Sequence, residues 1–124
     1  MQLKQLLEIF PAVSALGSTK LSAKPGYRVA KIINLIKPDM VAYDEQRNKL
    51  LQELGTPVEG EPGRFSILGD NLKSFADQEK ALLEEEVSID LPKIKIDDLV
   101  TNDGKQIEIE PMYLAALDGI ILTD

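Results

Sequence analysis

The longest regular pattern in this chain spans residues 27–54, YRVAKIINLIKPDMVAYDEQRNKLLQEL. Apolar residues recur there at alternating intervals of four and three, which is typical of a helix face that packs along another helix. Only Arg47 interrupts this seam, and a second apolar stripe widens its first half. We therefore expect the first half to be buried on two sides and the end near Leu54 to be wetter. The seam comprises Val29, Ile33, Ile36, Met40, Tyr43, Arg47, Leu50 and Leu54, and the second stripe Ile32, Leu35 and Ala42.

Pro38 lies inside this pattern. A proline in a helix interior removes one amide donor and clashes with the carbonyl of the residue four positions earlier, a defect of about 3 kcal/mol. The apolar register nevertheless continues from Ile36 to Met40, and Lys37 is a poor N-cap for a new helix. We therefore predict one long bent helix rather than two helices.

The preceding segment predicts a partner for this helix. Residues 2–16 again show apolar spacing of three and four and read as an amphipathic helix. Gly17 fits the C′ position of that helix, and Ser22 or Pro25 fits the start of the long one. Residues 1–54 should therefore form a helical hairpin.

The chain after the long helix changes character. Residues 55–69 are rich in glycine and proline, which predicts turns and at most a short strand pair, Thr56–Glu59 with Arg64–Leu68. The glycine spacings fit neither a dinucleotide-binding fingerprint nor a phosphate-binding P-loop. Asp70-Asn71 offers an N-cap for a third helix that continues to Glu86 and packs on the long helix.

From Val87 onward apolar and polar residues alternate with a period of two, which predicts strands. Asn102-Asp103-Gly104 is a tight-turn signal within this region. Pro111 then fits the first position of a closing helix, with a terminal strand at Ile120–Leu122 as the competing interpretation. The strand residues are Val87, Ile89, Leu91, Ile94, Ile96, Ile107 and Ile109, with Pro92 as a break. We predict an α+β fold: a helical hairpin with a long bent central helix, a third helix packed on it, a small antiparallel β-sheet and a C-terminal helix.

Length and composition narrow the function classes. With 124 residues the chain fits one domain. We expect this domain to consist of the helical hairpin (residues 1–54), the turn region (55–69), and a part with the third helix, the small sheet and the closing helix (70–124). It contains no cysteine and no histidine, so disulfides, thiolate sites and the commonest general base are excluded. Carboxylate-pair hydrolysis remains open, but so small a domain offers little room for the required cleft, and we predict that the protein is not an enzyme.

The net charge of −7 is unevenly distributed. Residues 1–54 carry eight Lys/Arg against five Asp/Glu, whereas residues 55–124 carry six against sixteen. An acidic protein repels the phosphates of nucleic acids, so we expect no direct nucleic acid binding except through the basic patch, and the simpler role of that patch is to complement the acidic half. The patch comprises Lys20, Lys24, Arg28 and Lys31.

Metal sites are weakly indicated. A calcium loop around Gly104 lacks two ligands, at Leu99 and Thr101. Carboxylates on alternating strand positions could gather around magnesium, but such side chains more often face water; they are Asp97, Asp98, Glu108 and Glu110. We expect no cofactor and no metal. The beginning of the chain shows no secretion signal and no segment is apolar enough to span a membrane, so we expect a cytoplasmic location.

Four stretches carry a resemblance to a known group of proteins. They are KLSAKPGYRVAKI (residues 20–32), EQRNKLLQELG (45–55), LPKIKIDDL (91–99) and LAAL (114–117). In these stretches the chain resembles small uncharacterised proteins encoded by tailed bacteriophages and prophages. The resemblance implies a phage-derived accessory protein in a bacterial host and transfers no catalytic residue.

Together these observations predict a protein that acts by binding another protein, such as a host or defence factor. The binding surface is expected in the acidic C-terminal half and at the sheet edge near Leu91–Ile96, because edge strands present unpaired backbone groups and charged rims steer partners. The candidate residues are Glu84, Glu85, Glu86, Leu91, Lys93, Lys95 and Tyr113. The alternatives are a structural or assembly component of a phage particle, a homo-oligomer, and a small metal-dependent hydrolase.

Overall fold

The structure, a computed structural model, describes residues 1–124 and confirms the predicted α+β class. A long central helix packs with two others, and a small antiparallel sheet and a C-terminal helix complete the fold. The helices are α1 (Leu3–Gly17), α2 (Ala23–Leu54), α3 (Asp70–Leu83) and α4 (Pro111–Leu117). The strands are β1 (Thr56–Pro57), β2 (Phe65–Ser66), β3 (Ile94–Lys95) and β4 (Leu122–Thr123), and a 3-10 turn spans Ile96–Asp98.

The helix α2 runs through Pro38 without a break, as predicted. Its N-cap is Ser22, and Pro25 lies in the first turn, where a missing amide costs no intrahelical hydrogen bond. The prediction for Gly17 was wrong: this residue is the last of α1, and Ser18 follows it as the C-cap. A Cβ on Gly17 would lie 2.9 Å from the Cδ1 atom of Ile33, so the glycine serves the close approach of α1 and α2.

The hydrophobic core lies at one end of the molecule. It contains side chains from α1, the first half of α2, and the C-terminal part of the chain. From α2 the apolar core residues are Val29, Ile32, Ile36 and Met40, and none beyond Met40. This confirms the prediction that the first half of α2 is more buried than its second half. The second stripe holds only in part, because Ile32 is buried whereas Leu35 is 36% exposed.

Arg47, the interruption of the seam, connects α2 to α3. Its Nε atom lies 3.2 Å from Oε2 of Glu79, and its guanidinium carbon lies 5.7 Å from the centroid of the Phe75 ring. No residue of α3 is fully buried. The ion pair and the cation–π contact therefore hold together a part of the molecule that has little core.

The start and the end of α3 differ from the prediction. Gly69, with φ of 62°, occupies the N-cap position. Asn71 instead donates its Nδ2 hydrogen to the carbonyl oxygen of Leu54, at 3.2 Å, and so satisfies a free carbonyl at the end of α2. The helix ends at Leu83 rather than at Glu86, so the acidic run lies outside it.

The antiparallel sheet forms at the predicted strand pair β1–β2 and not in the region after Val87. There, the only strands are β3 and β4, which pair in parallel with Ile94 opposite Leu122. The tight turn is confirmed by a bridge between Val100 and Gln106 and by Gly104, whose φ is 80°. Alternation was misread as pairing because it reports which side chains are buried, and burial does not require a hydrogen-bonded neighbour.

The closing helix begins at Pro111 as predicted but ends at Leu117. Gly119, with φ of 75°, turns the chain, and Ile121 and Leu122 are fully buried. The competing interpretation, a terminal strand at Ile120–Leu122, agrees with the structure only at Leu122, because the strand spans Leu122–Thr123 and residues 120 and 121 form a turn. The strand β4 pairs with β3 and thereby fixes the position of the residues that precede β3.

Candidate functional site

The acidic run Glu84, Glu85 and Glu86 lies where α3 passes into the next segment. The amide of Leu3 donates to the carbonyl of Glu85 at 2.9 Å, and the amide of Val87 donates to the carbonyl of Met1 at 2.8 Å. The Glu86 carboxylate also lies 3.4 Å from the amino group of Met1. The run is thus tied to the start of α1, while the carboxylates of Glu84 and Glu85 form no ion pair.

After this tie the chain continues as a segment of alternating burial. Val87, Ile89 and Leu91 are partly buried and pack against the core, whereas Ser88 and Asp90 are exposed. This period of two is that of an extended strand with one face on the protein. We refer to residues 88–93 as the extended segment.

The backbone of the extended segment has no partner. None of its amide or carbonyl groups forms a hydrogen bond with another part of the chain. Pairing resumes at Ile94, whose amide donates to the carbonyl of Ile121 at 2.8 Å. The segment belongs to no sheet, and its unpaired amide and carbonyl groups are free to pair with an added strand, so we refer to its backbone as the open edge.

Most of the predicted partner-binding residues lie on or beside this segment. Leu91 and Lys93 belong to it, and Lys95 lies in β3, directly after it. The Nζ atom of Lys93 donates to the carbonyl of Gly119 at 3.0 Å. Tyr113 is the exception, because it lies on α4 and lines a hollow with Ala12 of α1. The role of these residues in binding stays a prediction.

A groove of about 310 Å³ opens beside the start of the extended segment. The groove is lined by apolar residues that include Leu82 and Val87 and by the acidic residues Asp39, Glu85 and Glu86. Tyr43 also lines it, and burial raises the pKa of its hydroxyl, with the charge of Glu79 adding to the shift and that of Arg47 opposing it. The groove therefore suits a cationic side chain with an aliphatic stem.

The carboxylates weighed as metal ligands are not gathered. No three Asp or Glu side chains in residues 1–124 are placed to hold a metal ion. Asp97 and Asp98 instead line a hollow with Lys24 and Arg28 of α2. Part of the basic patch therefore faces acidic residues, which fits its interpretation as a complement to the acidic half.

The region of the open edge could be predicted from the sequence, but its lack of backbone pairing could not. The alternation assigned Val87–Leu91 to a paired strand, whereas the backbone groups of residues 88–93 have no partner in the chain. Pro92 was the available signal, since a proline within an alternating run indicates an edge or a break.

Comparison of the chain with models of protein families, with curated proteins and with solved structures finds no match. No helix combines the length and the apolar composition needed to cross a bilayer.

Proposed function

We propose that this protein acts by binding another protein, whose chain adds a strand along the extended segment. The supporting observation is that Val87, Ile89 and Leu91 anchor this segment while its backbone groups remain unpaired. In strand addition the main-chain hydrogen bonds supply affinity and the neighbouring pockets supply specificity. Because the strand is already held in place, little ordering entropy is lost when a partner binds.

The charge around the edge favours a partner with basic residues. Glu84 and Glu85 stand at its beginning without an ion pair, and Asp90 is exposed in its middle. Such a rim accelerates association with a cationic partner and disfavours acidic ones. The resemblance to small proteins of tailed bacteriophages makes a bacterial host or defence factor the expected partner, and an assembly role in the phage particle is the alternative.

The decisive test removes one backbone donor without disturbing the fold. The Asp90 amide has no partner in the chain, so Asp90→Pro should fold as the unaltered protein does while losing a ladder hydrogen bond. Glu108→Pro is the matched control, because Glu108 is also exposed and its amide is also unpaired. Circular dichroism and thermal unfolding verify that both variants fold.

The immobilised variants are then compared for capture of proteins from a bacterial host lysate. We expect Asp90→Pro to lose a partner that Glu108→Pro retains, and the partner to slow hydrogen exchange at residues 88–91. Capture that Asp90→Pro leaves unchanged, with no slowing of exchange in this segment, would contradict strand addition.

A further inference from the structure

The segment Glu84–Lys95, EEEVSIDLPKIK, has opposite charges at its two ends. Glu84, Glu85 and Glu86 precede the apolar centre, and Lys93 and Lys95 follow it. Two copies of such a segment running antiparallel place the acidic end of each beside the basic end of the other. The sequence is therefore complementary to itself in this orientation, and only in this orientation.

We propose that a second copy of this chain occupies the open edge, antiparallel to the first, with a twofold axis at Ile89. This inference rests on the proposed function, because it fills the same edge by the same strand addition. A twofold arrangement uses the same surface on both copies and closes as a dimer.

The free edge has the hydrogen-bonding groups that this pairing needs. In a strand, the amide and carbonyl of alternate residues point to opposite edges. Those of Val87 are bonded to Met1, so a strand conformation of residues 87–91 directs those of Ser88 and Asp90 to the opposite, open edge. With the axis at Ile89, Ser88 of each copy exchanges both hydrogen bonds with Asp90 of the other. Pro92 has no amide hydrogen and ends the ladder.

Charge and burial select this register over its neighbours. Every allowed register must keep Val87, Ile89 and Leu91 facing the protein. Moving the twofold axis by one residue shifts the pairing by two residues, so each side chain stays on its face and such shifts are allowed. Moving the axis to Ser88 opposes Asp90 to Glu86 of the second copy, and moving it to Asp90 opposes two Asp90 side chains. At Ile89, Val87 lies opposite Leu91 and Ser88 opposite Asp90.

Beyond the ends of this ladder, the same register brings the acidic end of one copy, which contains Glu85, near the basic end of the other, which contains Lys93. Cross-strand pairs of opposite charge stabilise an antiparallel ladder, and like charges destabilise it. The acidic lining of the groove, formed by Asp39, Glu85 and Glu86, then receives the basic end of the second copy. Self-pairing covers the edge until the strand of another protein displaces it, so the dimer is the resting form of the proposed binding site.

Sedimentation velocity from micromolar to millimolar concentrations tests the dimer. We expect a reversible monomer–dimer equilibrium in the unaltered protein. Glu85→Lys or Lys93→Glu alone should raise the dissociation constant about tenfold, because each replaces attraction between the charged ends of the two copies by repulsion at both ends of the pairing. Combining both substitutions in one chain, or mixing the two single variants, should restore association. Asp90→Pro should weaken it by at least about tenfold through the loss of two ladder hydrogen bonds, and Glu108→Pro should not.

The outcomes separate this inference from the proposed function. If the unaltered chain stays monomeric at millimolar concentration, self-pairing is refuted. It is also refuted if neither Asp90→Pro nor the charge reversals change the dissociation constant of the dimer. If the chain is monomeric while partner capture is lost in Asp90→Pro, strand addition stands and only the second copy is refuted. If the dimer obeys the charge reversals and no other protein is captured through the edge, the dimer stands and binding of a foreign partner is refuted.

Discussion

Replacing Arg47 by alanine is expected to loosen α3 from α2. The guanidinium group of Arg47 contacts both Glu79 and the ring of Phe75, and α3 has no fully buried residue to compensate for their loss. The side chains of Arg47 and Glu79 are 42% and 29% exposed, so solvent screens their ion pair in part. The perturbation therefore tests whether this one side chain holds two helices together.

The magnitude follows from two contacts. A partly exposed ion pair contributes about 0.2–1 kcal/mol, and an exposed cation–π contact contributes about 0.5–1 kcal/mol. Arg47→Ala should therefore lower the free energy of unfolding by about 1–2 kcal/mol. Lys49→Ala is the matched control on the same helix, because Lys49 is exposed and forms no ion pair, and its effect should stay within about 0.5 kcal/mol.

Urea unfolding followed by circular dichroism measures both variants. Double-mutant cycles with Glu79→Gln and with Phe75→Leu apportion the two contacts. Salt at about 1 M should weaken the coupling to Glu79 more than the coupling to Phe75, because the ion pair is screened at that ionic strength. An Arg47→Ala variant as stable as Lys49→Ala, with no coupling in either cycle, would refute this account of the α2–α3 contact.

Three further predictions use the same unfolding assay. Ile36→Ala should cost about 2–5 kcal/mol, because Ile36 is fully buried, and Leu50→Ala should cost less than half of that because Leu50 remains partly exposed; equal losses would contradict the one-ended core. Asn71→Ala should cost about 0.5–1 kcal/mol by leaving the carbonyl of Leu54 without its donor, and Asn71→Asp should cost more because an acceptor replaces that donor; a neutral Asn71→Asp would argue against this contact. The raised pKa of Tyr43 stabilises the folded protein below the unfolded pKa of about 10, and this contribution is lost as the pH rises above that value, because the unfolded state ionises first. In the Tyr43→Phe variant, the free energy of unfolding should therefore fall less steeply above pH about 10 than in the unaltered protein. The same pH dependence in both proteins would contradict the raised pKa of Tyr43.

The helices could be predicted because their signals are local. Apolar spacing placed α1 and α2, and register across Pro38 correctly predicted one continuous helix. The turn at Gly104 and the proline at the first position of α4 were equally readable, since each depends on the backbone preferences of one or two residues. The wetter end of α2 followed from the narrowing of its apolar stripe.

The misreadings share another cause, which is distance along the chain. Asn71 looked like a cap for its own helix, but it donates to a carbonyl 17 positions away. Arg47 looked like a flaw in the seam, but Glu79, 32 positions later, accounts for it. Both depend on where α3 lies against α2, and the periodicity of one helix carries no information about its neighbour.

The open edge shows this division most clearly. The sequence by itself determined that Val87, Ile89 and Leu91 share one buried face, because a period of two is a local property of an extended chain. Only the tertiary structure decided that the backbone of residues 88–93 has no partner and that β3, which begins at Ile94, pairs in parallel with β4. Hydrogen bonds between strands join residues far apart in the chain, so their presence or absence depends on how the whole chain packs and not on the segment that carries the pattern.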